Sequence, residues 1–148
     1  DLEDNIRSIV YESLRQTLGA QFAEREGEKL IQASFNSMLS EKKNIVRLKR
    51  MRAKILEMAK AKQKSYEYFI ANNGNMSGYS GSTFVFDNEN QMTVGAEDVL
   101  NSIYTVEAYK DFSDKEFTNY FEKATDDEQA WILKNAENIP QIKIGEEE

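Results

Sequence analysis

The sequence predicts a mainly α fold: an N-terminal long helical hairpin plus a C-terminal cluster of short helices, with one small β-hairpin at about 83–94. Three observations carry that expectation. Apolar residues recur three or four apart through most of the chain, which is the signature of amphipathic helices. The stretch from Glu41 to about Ala71 is the longest and clearest of these patterns. Between the helical regions, two β-rich tetrapeptides flank a polar one. At 148 residues, with 40% hydrophobic side chains, the chain has the size of one ordinary domain. A chain of that size buries roughly two-thirds of its unfolded surface, so a core forms without metal or disulfide. Residues 1–71 and 72–148 differ in pattern and charge, and they are expected to form one structural unit.

Taken in order, Ile6, Ile9, Val10, Leu14 and Leu18 mark a first helix over 2–18, and Gly19 is suited to end it in the left-handed region. A second helix is expected from Ala20 to about Leu39, with Leu30, Ile31, Phe35 and Met38 inward and a break at Gly27. Ser40 can cap the third. Along that third helix Ile45, Leu48, Met51, Ile55, Met58, Ala59, Tyr66 and Phe69 form one stripe at 100° per residue. Its length, about 45 Å, is long for the domain and points to a hairpin or coiled coil with the preceding helix.

Residues 72–82 have a loop composition, rich in glycine, asparagine and serine. Thr83-Phe84-Val85-Phe86 and Gln91-Met92-Thr93-Val94 then read as hairpin strands around Asp87-Asn88-Glu89-Asn90. Further on, Val99, Leu100, Ile103 and Val106 make another amphipathic stretch. Ser113 with Glu116, and Thr125 with Glu128, are spaced as capping boxes opening two short helices, and Pro140 ends the second. Gln141 to Ile144 alternates as an edge strand or a docking tail, and Glu146 to Glu148 reads as a solvated end.

Charge is strongly segregated. Residues 1–40 carry a net −3, residues 41–86 a net +7 and residues 87–148 a net −11. Nucleic acid is repelled by such a chain as a whole, so an attraction must come from the middle segment. Lys42, Lys43, Arg47, Lys49, Arg50, Lys54, Lys60 and Lys64 are expected on the far side of the long helix, with Arg52 and Lys62 nearer its apolar flank.

Several chemistries fail on residue types. Cysteine and histidine are absent, which removes thiolate and imidazole catalysis, disulfides and Cys/His zinc sites. Asp87 and Glu89 start like a calcium loop, but Met92 and Asp98 stand where glycine and glutamate are required. The glycine-rich loop lacks the Gly-Lys-Ser/Thr ending of a phosphate loop. Glu41-x-Lys43 lacks an upstream strand carboxylate, and Asn75-Met76-Ser77 fits a glycosylation sequon with no secretory leader beside it. No run approaches the ~20 apolar residues of a membrane span. Opening on Asp1 rather than Met, the chain reads as a processed or excised piece.

Asn44-Ile45-Val46-Arg47-Leu48-Lys49 near a helical-hairpin turn, with the later glycine-rich linker leading to Thr83-Phe84-Val85-Phe86, resembles the small terminase subunits of tailed phages. The similarity covers about a third of the chain, and nothing from Tyr104 onward matches it. It implies a helical hairpin that builds a ring and helps recognise and package viral DNA.

The residues themselves lead to a non-catalytic, intracellular, helical nucleic-acid-associated or assembly protein without cofactor or metal. Lys43, Arg47, Lys49, Arg50, Lys54, Lys60 and Lys64 are the expected contacts to a DNA or RNA backbone, independent of base sequence. Met51, Ile55 and Met58 are the expected seam of a homo-oligomer. The competing expectation is a scaffold or adaptor, or a viral-type packaging subunit, whose basic helix meets an acidic protein surface. A membrane-surface helix is the weakest of the three, because the stripe is poor in tryptophan and leucine.

Overall fold

Val10, Leu14 and Leu18 lie on one side of the first helix, α1 (Leu2–Leu18), in the computed structural model, which describes residues 2–80 and 96–143. Gly19 has φ +100°, a left-handed value that only glycine adopts freely, and it reverses the chain into α2 (Ala20–Ser34). α2 runs straight through Gly27. A Cβ there would stand 3.4 Å from the Tyr11 ring, so the glycine marks the close approach of α1 and α2 rather than the expected break.

α2 stops at Ser34, short of Leu39, because the link to the next helix has a better partner for its backbone. Asn44 Oδ1 accepts from the Asn36 N–H (2.9 Å), and its Nδ2 donates to the carbonyls of Asn36 and Leu39. One buried amide therefore pins the whole connection. Ser40 Oγ then accepts from the Lys43 N–H and opens α3 (Glu41–Ala71).

The buried face of α3 is Asn44, Arg47, Met51, Ile55, Met58 and Ser65. Asn44, Met51, Met58 and Ser65 are spaced by sevens, the repeat of a helix packed along its length against others. Relative to the stripe expected from apolar residues alone, the face is rotated by about half of one 100° residue step. Ile45, Tyr66 and Phe69 are thereby left 43%, 58% and 45% exposed, while Asn44 and Arg47 turn inward. Met51, Ile55 and Met58 are at most 4% exposed and lie in the protein's own core with Val10, Leu14, Leu30 and Ile103. They are not open to serve as an oligomer seam.

After the undescribed segment, α4 (Ala96–Ile103) packs on α2 and α3 with Val99, Leu100 and Ile103 inward. A 3-10 turn over Val106–Tyr109 leads to α5 (Asp114–Lys123) and α6 (Asp126–Lys134). Leu39, Tyr109, Phe117, Tyr120, Ile132 and Ile139 form a second core there. Trp131 packs against both cores. Of the expected strand or tail, Ile144 lies outside the described residues and Gln141 to Lys143 is not strand; the Gln141 amide donates to the carbonyls of Tyr109 and Phe112. The expected β-hairpin at 83–94 lies outside the described residues; among those described there is helix and turn but no strand.

Candidate nucleic-acid interface and the buried charge beneath it

α3 positions every base expected to touch phosphate, and it sorts them into three groups. Lys49, Lys60 and Lys64 are exposed and have no carboxylate partner among the described residues. At 100° per residue they fall opposite Met51 and Met58, and Lys42 extends the same row toward the helix start. Lys43, Arg50 and Lys54 are tethered. Lys43 Nζ lies 3.7 Å from Asp111 and 4.4 Å above the Phe112 ring. Arg50 Nε donates to the Ser102 carbonyl at 2.6 Å, and Lys54 sits 3.5 Å from Glu57.

Arg47 is the third group by itself. It is 2% exposed and forms a two-pronged ion pair with Glu128: Nη1 donates to Oε1 (3.1 Å) and Nη2 to Oε2 (2.8 Å). It also donates to the Ala33 carbonyl and the Tyr120 hydroxyl, both at 3.2 Å, and stacks 5.3 Å from the Tyr104 ring centre. Arg47 is a structural cation facing inward. A phosphate contact from it requires opening the core.

Glu128 completes this network. Its Oε2 accepts from the hydroxyls of Tyr109 (2.8 Å) and Tyr120 (2.6 Å) as well as from Arg47. The Tyr120 oxygen in turn accepts from the Asn36 amide at 3.2 Å. Burial alone would lower the Arg47 pKa, but the hydrogen bonds and negative charge of Glu128 outweigh it and hold the guanidinium above its ordinary value. Burial raises the Tyr104, Tyr109 and Tyr120 hydroxyls well above the usual tyrosine range, and the Glu128 charge adds to it. The two charges are matched, and the pair joins α3 to α6.

The expected second capping box is therefore half of one. Thr125 Oγ1 accepts from the Glu128 N–H at 3.2 Å, but the Glu128 carboxylate leaves the helix end for Arg47. Sequence reasoning missed both partners, since Glu128 reads as a capping residue and Arg47 as one base among ten. The available signal was positional: Arg47 lies three and four residues from Asn44 and Met51, on the buried face.

A separate cleft of about 320 Å³ lies beside α2, α4 and α6, floored by Tyr104 and Trp131 and bordered by Glu26, Glu97, Asp127 and Lys134. Its charges are mixed in sign. Among the described residues, no three carboxylates converge where a metal ion could be held. Also among them, no helix is long and apolar enough to cross a membrane.

Comparison with family models, curated proteins and solved structures gives no match. The likeness to small terminase subunits rests on residues 44–49 and 83–86, and the second of these segments lies outside the described residues.

Proposed function

We propose that the chain is a non-catalytic nucleic-acid-associated protein that holds phosphates along the outer row of α3, through Lys49, Lys60 and Lys64 with Lys42 beside them. The observation that carries this is the row itself: exposed ammonium groups on a rigid helix, none neutralised by a described carboxylate. Lys49 to Lys64 spans about 22 Å at 1.5 Å per residue. Duplex DNA presents one charge per ~1.7 Å over such a length, so three or four ammonium groups find phosphates without any base being read. Met51, Ile55 and Met58 seat the middle of α3 in the core, and the Arg47–Glu128 pair anchors its N-terminal half. Arg47 drops out of the phosphate-binding set, and Lys43, Arg50 and Lys54 would have to exchange an internal partner for a phosphate.

The second reading, docking on an acidic protein surface, is favoured by one feature: Val46 and Leu56, 44% and 47% exposed, stand among the bases. A gel-shift titration of Lys49→Gln/Lys60→Gln/Lys64→Gln against the unaltered chain tests the first reading. Duplex or single-stranded binding that the triple variant loses supports it. No binding by either protein at low salt contradicts it and leaves the protein surface.

A further inference from the structure

The lysine row of α3 runs into an aromatic pair at its C-terminal end. Lys60, Lys64 and Tyr68 follow one another at four-residue steps, about 6 Å each along the axis, so Tyr68 continues the line of ammonium groups. Beyond Ala71 the chain turns back on itself. Asn73 and Gly74 take left-handed φ values of 52° and 84°, and the Gly74 N–H donates to the Phe69 carbonyl at 2.8 Å. Tyr79 then comes back to Tyr68, with ring centres 5.2 Å apart and planes at 56°. A Cβ on Gly78 would stand 2.5 Å from the Tyr68 hydroxyl oxygen, so a side chain there would push the ring aside. Both tyrosines are half-buried, and neither belongs to either hydrophobic core. Glu67, three residues beyond Lys64, accepts from the Gln63 amide at 3.2 Å and forms no ion pair among the described residues.

We propose that Tyr68 and Tyr79 stack on the unpaired bases of a single-stranded nucleic acid whose phosphates lie along the row. The inference rests on phosphate binding by that row and names the strand it favours. Ammonium groups follow a backbone and do not tell one strand from two. An aromatic pair responds to what a single strand alone offers, a base with a free face. In a duplex the bases are already stacked on one another, and the tyrosines gain nothing from them. Every base has such a face, so the preference is for single strands rather than for a sequence, and DNA and RNA share it. Placement agrees with this, because a strand held at Lys49, Lys60 and Lys64 brings its next base to the ring one turn further on. A clasp that only closed the end of α3 would work as well with leucine as with tyrosine, and that difference supplies the variants.

Fluorescence anisotropy at low salt tests this with two probes, an oligothymidylate and an abasic strand of the same length, which keeps the phosphates and lacks the bases. The unaltered chain should bind the oligothymidylate about five- to hundred-fold more tightly, the range expected for one stacked base. Tyr68→Leu/Tyr79→Leu should bring the oligothymidylate down to the level of the abasic strand, with helical circular dichroism unchanged. Tyr68→Phe/Tyr79→Phe should keep the preference, since the rings remain. A preference that survives the leucine variant, or that the phenylalanine variant also loses, overturns the inference. Equal affinity for the two strands, abolished by Lys49→Gln/Lys60→Gln/Lys64→Gln, overturns the stacking and leaves the phosphate row standing. Binding of neither strand overturns the row and the stacking together.

Discussion

Arg47 and Glu128 are each buried to within a few per cent; Glu128 accepts two of the four hydrogen bonds that Arg47 donates, and the buried Arg47 Nε has no partner among the described residues. The two charges exchange water for one another and for the hydroxyls of Tyr109 and Tyr120, so removing either leaves a charge stranded in the interior. Arg47→Met should lower unfolding stability by about 3–5 kcal/mol, a large part of a domain's usual margin, read from the urea midpoint. Adding Glu128→Leu should recover part of that loss, because no carboxylate is then left without its cation. The recovery stays incomplete, since both tyrosine hydroxyls lose an acceptor worth about 1–3 kcal/mol when buried. A single Arg47→Met variant as stable as the unaltered chain would show that the pair is solvated. This ion pair was not legible in the sequence for a physical reason: its two ends are 81 residues apart, and periodicity assigns a lone arginine to the polar side by default.

At the scale of elements, the short C-terminal helices depend on their first turns, because each has little length over which to recover the cost of nucleation. α5 opens on a complete capping box: Ser113 Oγ accepts from the Glu116 N–H at 3.1 Å, and the Ser113 N–H donates to the Glu116 carboxylate at 3.2 Å. That bond also holds the Glu116 carboxyl below its ordinary pKa. Ser113→Ala and Thr125→Ala should each cost about 0.5–2 kcal/mol in urea unfolding, and a midpoint unmoved by both would misplace the two helix starts. These caps were readable because the rule behind them involves residues three apart. The limits of α1 and α3 were readable too, from Gly19 and Ser40. The end of α2 was not, since Asn44, eight residues beyond Asn36, sets the link between them. The rotation of α3 was missed because three polar residues, Asn44, Arg47 and Ser65, take core positions that apolar counting gives to the neighbouring Ile45, Leu48 and Tyr66.

For the molecule as a whole, two cores share Trp131, and the Arg47–Glu128 pair crosses between the same two regions. Residues on either side of the undescribed segment should therefore unfold together. Trp131 is the single tryptophan, so its fluorescence and the far-ultraviolet circular dichroism should give one urea midpoint; two separated transitions would mean two independent units. The same construction bears on function, because it fixes a net-basic helix on a chain of net charge −7 and keeps the row of Lys49, Lys60 and Lys64 turned outward. Segregation of charge was legible from composition, whereas which bases remain free needed the partners of Lys43, Arg47, Arg50 and Lys54. The most direct test of the account is the salt dependence of duplex DNA affinity. Three or four released counterions per chain give a slope of log affinity against log salt of about −3 to −4, from roughly −0.9 per phosphate. Changing Lys49, Lys60 and Lys64 to Gln should flatten it by about one unit for each phosphate no longer held, with helical content unchanged. A slope near zero, or one that the three substitutions leave unaltered, contradicts phosphate binding by the outer row of α3.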